Sequence, residues 1–313
     1  MKPQLVSVVL PVYNEEGSLR ELHARLRAVF AGAEMDCELI FVDDGSTDDS
    51  LKTIKEISEE DQRCRCVSFA RNFGHEAAST AGLQRAQGDV VVLMDTDLQD
   101  PPEFIPTLIE KWKEGYEVVY VRRRNRAGES VFKRLSAWVF YRILNALAEV
   151  KIPSDVGDFR LMDRKVVDAF KNLPEANRFV RGMIAWLGYQ QIGVEYDRPE
   201  RRKGKTKYDP YKLAYLAFDA AVSFSASLLR LSTITGFVVG FASLVMVLVV
   251  VAQKLFLGIP IKGYALMASG LFFLGGLILL YLGLLGEYVA KTYRQVQARP
   301  LYIVKEEIGK TPL

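Results

Sequence analysis

Three features of this 313-residue sequence predict an α/β protein with a mostly parallel sheet, followed by a membrane-anchored C-terminal part. Short apolar runs alternate with amphipathic stretches through the first 125 or so residues. The residues that follow each apolar run are polar and acidic, and two long uncharged stretches lie near the C-terminus. The apolar run ending at Val12 is a strand (Ser7–Val12), and Ser18–Phe30 is a helix with Leu19, Leu22, Leu26, Val29 and Phe30 at helical spacing. Glu38–Val42 is a strand, Ser50–Ser58 a helix, Cys66–Phe69 a strand and Glu76–Ala86 a helix. Val90–Met94 is a continuous apolar strand, Phe104–Glu114 a helix and Val118–Val121 a strand. Alternation of this kind places helices on both faces of a parallel sheet, which buries its strands on both sides.

Charged residues make up 25% and hydrophobic residues 50% of the chain, so a disordered or fibrous protein is excluded. The net charge of +3 does not point to a nucleic-acid partner. Three cysteines, an odd number, argue against a disulfide framework and for a reducing compartment. Cys64 and Cys66 form an isolated C-x-C without the second pair that a zinc site needs. The mean hydropathy of +0.07 averages a soluble part and a membrane part. Leu231–Ala252 and Gly263–Gly286 contain no charged residue, and each is long enough to cross a bilayer of about 30 Å. The connector Gln253–Lys262 is short, so the two spans form a hairpin with both ends on one side. Arg230, Lys291, Arg294 and Arg299 outnumber Lys254 and Lys262, which places both termini in the cytoplasm. The run Leu5–Val12 is too short for a signal peptide, so no export signal is expected. Residues 1–209 are thus expected to form the cytoplasmic domain and 287–313 a cytoplasmic tail. Residues 130–150 and 210–230 are expected to lie as amphipathic helices at the membrane interface, with Trp138 or Tyr215 at headgroup depth.

Ligands of open parallel sheets bind beyond the carboxyl ends of the strands. Here those ends carry Pro11-Val12-Tyr13-Asn14-Glu15, Asp43-Asp44-Gly45, Arg71-Asn72-Phe73-Gly74 and Asp95-Thr96-Asp97-Leu98-Gln99. Neither G-x-G-x-x-G nor a P-loop occurs, so phosphate charge must be met by other means. Two carboxylates at positions i and i+2 beyond a strand can converge on one hard divalent cation, which would bridge the phosphates of a nucleotide diphosphate. In isolation such a pair is as often a turn or a helix cap. A second acidic pair, Asp43-Asp44, after another strand favours the metal.

The ordered set SVVLPVYNEE, FVDDGSTDDS, FARNFG and GDVVVLMDTDLQDPPE resembles family 2 glycosyltransferases of the Rossmann-like GT-A fold. DVGDFRLMDRKVVDAF, NRFVRGMIAWLGY, the R-x-x-G-x-T-K-Y of Arg201–Tyr208 and the two spans extend the likeness over Ser7–Val304, to the polyisoprenyl-phosphate glycosyltransferases. Bactoprenol glucosyltransferases of O-antigen-modifying systems are the most similar group, and dolichyl-phosphate mannosyltransferase is related. The resemblance implies a metal-dependent hexosyltransferase of the inner membrane, using Mg²⁺ or Mn²⁺. It would move one sugar, first choice glucose from UDP-glucose, to undecaprenyl phosphate. It also implies roles: Pro11, Tyr13 and Glu15 around the base; Asp43 and Asp44 on ribose and base; Arg71 and Asn72 bordering the nucleotide. Asp95, Asp97 and Gln99 would bind metal and diphosphate, Asp155 or Asp158 would lie by the sugar, and Arg201 and Lys207 would reach phosphates from a loop. A homo-oligomer is a further expectation of the resemblance.

A phosphate acceptor is largely ionised near neutral pH, because its second pKa is about 6, so catalysis reduces to positioning and charge neutralisation. Arg122, Arg123, Lys133 and Arg134 supply cations for the acceptor phosphate, or else form a juxtamembrane patch. Asp155 and Asp158 are read in a polar turn before Phe159, with either one available to the sugar. Single displacement would invert the anomeric centre. A processive polysaccharide synthase would need more spans and a Q-x-x-R-W motif, and a non-catalytic scaffold would have no chemical need of Asp44, Asp95, Asp97 and Arg201.

Overall fold

The computed structural model describes residues 3–32, 35–123, 156–196, 227–257 and 263–309. The described residues fall into two units. One holds the N-terminal part together with the C-terminal residues from Arg299 onward, and the other holds the two long apolar helices.

The first unit is an eight-stranded sheet with order β7-β5-β6-β4-β1-β2-β3-β8. In chain order its elements are β1 (Leu5–Val12), α1 (Leu19–Ala31), β2 (Asp36–Asp43), α2 (Ser50–Glu60), β3 (Cys64–Phe69), α3 (His75–Arg85) and β4 (Val90–Leu93). A short 3₁₀ turn at Pro102–Phe104 leads into α4 (Ile105–Lys113), then β5 (Val118–Arg123), β6 (Val156–Asp163), α5 (Arg164–Lys171), α6 (Val180–Trp186), β7 (Gln191–Tyr196) and β8 (Val304–Ile308). The predicted strands and helices of the first 125 residues all form, with ends shifted by a few residues. The pairings β4–β1, β1–β2 and β2–β3 are parallel, while β6 runs antiparallel to both β4 and β5.

Val6, Val8, Leu10 and Val12 of β1 pack with α1, α2 and α4 on one face. Val9 packs with Ala77, Ala78 and Ala81 of α3 on the other, beside Val166 and Phe170 of α5 and Met183 of α6. Each central strand is therefore apolar on both sides, which is why it reads as an unbroken run. The α3 face is small because the helix lies close to the sheet: a Cβ on Gly82 would sit 2.2 Å from Val9 Cγ1.

The C-terminal segment is not a free tail. β8 pairs antiparallel with β3, from Cys66↔Ile308 to Phe69↔Val304. Tyr302 stacks on Phe69 with ring centroids 4.7 Å apart, Arg85 pairs with Glu307, and Lys55 pairs with Glu306 at 2.8 Å. The sequence before it is charged and short, so nothing local announces a strand; its partner lies more than 230 positions upstream in the chain.

The second unit contains α7 (Ser227–Leu257) and α8 (Tyr264–Val296). Both overrun the expected spans of 231–252 and 263–286, and α8 takes in the first ten residues assigned to the tail. The windows Ser232–Gln253 and Gly270–Val296 are long and apolar enough to cross a membrane, and Phe237, Phe241 and Phe272 stand exposed on them. A Cβ added at Gly270, Gly275 or Gly276 meets nothing within 4 Å. The expected interfacial helix at 130–150 lies outside the described residues; so does the one at 210–230, except for residues 227–230, which belong to α7.

His23 of α1 meets Asp61 and Cys64 at the C-terminal end of α2, but Asp61 already has its cation. It accepts from Arg63 Nε at 2.9 Å and Nη2 at 2.7 Å, and His23 Nε2 lies 3.2 Å away. The Arg63 hydrogen bonds outweigh burial and hold the Asp61 carboxyl well below its ordinary 3.8. A depressed carboxyl pKa contributes stability that is complete above the unfolded value and is lost as pH falls through the folded one. Asp61→Asn should therefore flatten the decline in thermal midpoint from about pH 5 downward, measured in detergent against the unaltered chain.

Candidate active site

The chain turns from β1 to β2 on one side and returns through β3 and α3 to β4 on the other, so a crevice opens beyond the carboxyl ends of β1 and β4. This is the switch point at which such sheets bind ligands. Asp95, Thr96 and Asp97 follow β4 directly, and the Thr96 hydroxyl donates to the Pro11 carbonyl at 3.1 Å, tying the two strand ends together. Pro11 itself is buried, whereas Tyr13 is 47% exposed at the mouth.

The loops after β1 and β2 are joined by side chains. The Asn14 carbonyl oxygen Oδ1 accepts from the Thr47 amide at 2.8 Å, and the Glu15 amide donates to Ser50 Oγ at 2.9 Å. Asp43 and Asp44 are both buried. Asp43 accepts from Ser68 Oγ at 2.8 Å and from the Ser46 amide at 3.0 Å. Asp44 accepts from the amides of Phe73 and Gly74 at 2.6 and 2.9 Å, and so holds the Arg71–Gly74 loop. Burial raises the Asp44 pKa against those two amides. Arg71 and Asn72 are exposed, with the Arg71 guanidinium 3.9 Å from the Phe73 ring centroid. Gly45 has φ +68°, and a Cβ there would lie 2.5 Å from the Arg71 carbonyl carbon. Gly45→Ala should cost about 1–2 kcal/mol and displace the Arg71–Asn72 loop. A melting curve would register the lower midpoint.

Asp97 is partly exposed. The Gln99 amide donates to its Oδ1 at 3.1 Å, and Gln99 Nε2 donates to its Oδ2. The turn between them places Leu98 at φ 61°, an uncommon conformation for a branched residue. The expected ligand Gln99 thus points its amino group at Asp97 and orients it.

Asp158 corrects the sequence reading: it lies within strand β6, not in a turn. The β4–β6 register runs from Val90↔Asp163 to Leu93↔Arg160, and just beyond its end the carboxylates of Asp158 and Asp95 bring oxygens within 4.8 Å of each other. His75, at the start of α3, lies between them, with Nε2 3.3 Å from Asp158 Oδ2 and 3.8 Å from Asp95 Oδ1. Arg181 of α6 reaches Asp158 Oδ1 at 3.2 Å. Arg160 is buried beneath, donating to the carbonyls of Gly157 and Asp158 at 3.0 and 3.3 Å. Burial pushes Asp95 up to about 7, with Asp100, Asp158 and Asp97 adding to the shift and His75 opposing it. Burial alone would lower His75, but Asp158 and Asp95 hold it up at about 9. Burial works to raise Asp158, and its cationic neighbours overcome that and depress it.

His75, Asp95 and Asp158 each bring one ligand atom within 4.8 Å of the others. The carboxylate oxygens of Asp95 and Asp158 suit Mg²⁺ or Mn²⁺, while His75, held up at about 9, is the cation between them. The donor set fits such an ion. Sequence reasoning missed His75, Glu76 and Arg181; His75 directly follows the quoted FARNFG and Arg181 lies inside NRFVRG, yet nothing local pairs either with Asp158. Arg122 is exposed at the end of β5. Only the backbone of Arg123 is described, paired with Tyr196. Lys133, Arg134, Asp155, Arg201 and Lys207 lie outside the described residues.

The sequence pattern of glycosyl transferase family 2 matches residues 7–170, the span that carries every strand end described above. The chain belongs to glycosyl transferase family 2. Its relatives in the family match nearly end to end. YkcC of Bacillus subtilis, an uncharacterised glycosyltransferase, is 45% identical over 303 residues, covering 97% of this chain and 94% of its own. The SfII prophage-derived bactoprenol glucosyl transferase of Shigella flexneri is 40% identical over 307 residues, covering 98% and 99%. Among solved structures, glucosyl-3-phosphoglycerate synthase of Mycobacterium tuberculosis, in complex with Mn²⁺, UDP and phosphoglyceric acid, superposes with TM-score 0.51. It is 23% identical and covers 70% of this chain and 76% of its own, a likeness of fold. As a family 2 member the chain is a glycosyltransferase with the GT-A architecture.

Proposed function

We propose that this glycosyltransferase moves glucose from UDP-glucose to a membrane polyprenyl phosphate, undecaprenyl phosphate, with inversion at the anomeric carbon. The observation that carries the reading is the 40% identity to the bactoprenol glucosyl transferase, which runs across 98% of the chain and so through both apolar helices.

Asp95 and Asp97 would hold Mg²⁺ or Mn²⁺, and Asp158 faces them across the β4–β6 register. When bound, the ion would offset the charge of the departing diphosphate. Gln99 keeps Asp97 turned into the site, and Thr96 keeps the β4 end against β1. Tyr13 offers an exposed ring to the base, and Asp44 orders the loop whose Arg71 and Asn72 would border the nucleotide. Asp43, already engaged by Ser68 and Ser46, would act on the ribose through the shape of its loop. The acceptor phosphate needs no strong base, so cations suffice to bring it up; Arg122, Arg123, Lys133, Arg134, Arg201 and Lys207 are the candidates. Asp155 remains a second candidate beside the sugar.

The chain enters α7 after β7 and leaves α8 for β8, and both strands belong to one sheet. If α7 and α8 cross the membrane, both ends of the hairpin therefore emerge on the catalytic side. With the positive-inside bias this supports an inner-membrane enzyme with both termini cytoplasmic. Association of copies is part of the same reading.

Transfer of radiolabelled glucose from UDP-glucose to undecaprenyl phosphate in detergent, with Mn²⁺ or Mg²⁺ and with EDTA, tests the reading. Label in the lipid phase that EDTA abolishes is the expected result. Label from another nucleotide sugar alone would replace the donor, and none from any donor would overturn the reaction.

A further inference from the structure

Asp158 is held on both of its oxygens by side chains from two different helices. His75 Nε2 of α3 reaches Oδ2 at 3.3 Å, and Arg181 Nε of α6 reaches Oδ1 at 3.2 Å. The two arms are tied to each other as well. Glu76, the neighbour of His75, accepts from the amide of Val180, the neighbour of Arg181, at 2.7 Å. Below the ring, the buried Arg160 guanidinium takes the carbonyls of Gly157 and Asp158, which fixes the backbone that carries the carboxylate. Four charged side chains in one ring are far more than a strand residue needs for stability, since a buried charge pair is weak support for a fold. What the ring does is fix one carboxylate, at a place within 4.8 Å of an Asp95 oxygen.

We propose that His75 and Arg181 are positioning residues that clamp Asp158 as a fixed hydrogen-bond acceptor for the hydroxyls of the donor sugar. The proposal rests on the reading above that Asp95 and Asp97 receive the diphosphate. The sugar is the next group along the donor, and Asp158 is the next acceptor along the site. A carboxylate ion-paired to cations from two helices presents its free lone pairs in one direction, which orients a sugar ring without moving a proton. The clamp would therefore matter to the sugar and not to the nucleotide.

The test uses the full-length chain in detergent with His75→Gln, Arg181→Ala, Arg181→Lys and Glu76→Gln. Affinity for UDP and for UDP-glucose, each with Mn²⁺, is measured by calorimetry, and kcat and KM for lipid-linked glucose are measured alongside. The expected result is UDP affinity within about twofold of the unaltered chain, loss of the difference between UDP-glucose and UDP, and kcat lower by about 10²-fold in His75→Gln and Arg181→Ala. Arg181→Lys should recover part of that loss, because it restores the charge but not the planar donor. Glu76→Gln, which loosens the tie between the arms, should show a smaller loss of the same kind. Unchanged kcat together with an unchanged UDP-glucose preference overturns the clamp. Parallel loss of UDP and UDP-glucose affinity also overturns it, by showing that the ring supports the fold or the nucleotide. An unaltered chain that transfers no glucose overturns the functional reading, and the clamp falls with it; transfer by the unaltered chain with equal transfer by the variants overturns the clamp alone.

Discussion

Asp97→Asn should lower sugar transfer by about 10²–10³-fold while leaving the melting temperature almost unchanged, in line with the loss of one preorganised electrostatic group from a catalytic site. Asparagine has nearly the volume of aspartate and keeps an oxygen for the Gln99 amide, which donates to Oδ1 at 3.1 Å. The Asp97–Leu98–Gln99 turn can therefore persist, including Leu98 at φ 61°. What the substitution removes is a negative charge in a partly exposed position beside Asp95. If Asp97 holds a divalent cation, the variant should need more Mn²⁺ for half-maximal rate and should bind UDP more weakly only when Mn²⁺ is present. Radiolabel transfer over a series of Mn²⁺ concentrations, with UDP calorimetry in EDTA as the control, measures both. Near-normal rates at low Mn²⁺ would remove Asp97 from the metal site. A collapse of the melting temperature would make its role structural.

Deleting the chain from residue 301 should lower the stability of the sheet unit by about 4 kcal/mol, at about 1 kcal/mol for each of the four strand pairs lost, from Cys66↔Ile308 to Phe69↔Val304. At about 2–4 °C per kcal/mol for a unit of this size, the melting temperature should drop by about 8–16 °C. The stacked Tyr302–Phe69 rings and the Arg85–Glu307 and Lys55–Glu306 pairs go with the strand. The deletion also leaves β3 as an open edge, and unpaired edges recruit other chains, so the truncated protein should aggregate at lower concentration. Differential scanning fluorimetry and light scattering in detergent measure the two effects. Tyr302→Ala, which removes the ring and leaves the strand, should give a smaller drop without aggregation. A truncated chain that melts where the full chain does would mean that β8 contributes no net stability to the sheet.

Much of this protein is written in local patterns. Strand–helix alternation, the acidic residues after β2 and β4, and the uncharged stretches within α7 and α8 all depend on neighbours a few residues apart, so they were legible without coordinates. The family resemblance rested on the same segments. Asp158 shows where local reading stopped. Asp158 and Arg160 put two charges in two turns of the pleat, which reads as a loop, because the cations and carbonyls that satisfy them come from α3, α6 and the strand's own folded backbone. Only the pairing of β6 beside β4 brings the Asp158 carboxylate within 4.8 Å of that of Asp95. The resemblance gives Gln99 to the metal site, and only the folded turn shows its Nε2 donating to Asp97.

The sequence by itself determined the layered α/β architecture, the family, the acidic strand ends and the apolar helices. All of these follow from side-chain chemistry repeated at the period of one element. Tertiary structure decided that His75 and Arg181 meet at Asp158, that Asp44 holds the Phe73–Gly74 amides, and that the chain returns after α8 to close the β3 edge. Each of these joins residues tens to hundreds of positions apart, and their meeting depends on strand order and register, which no local periodicity encodes.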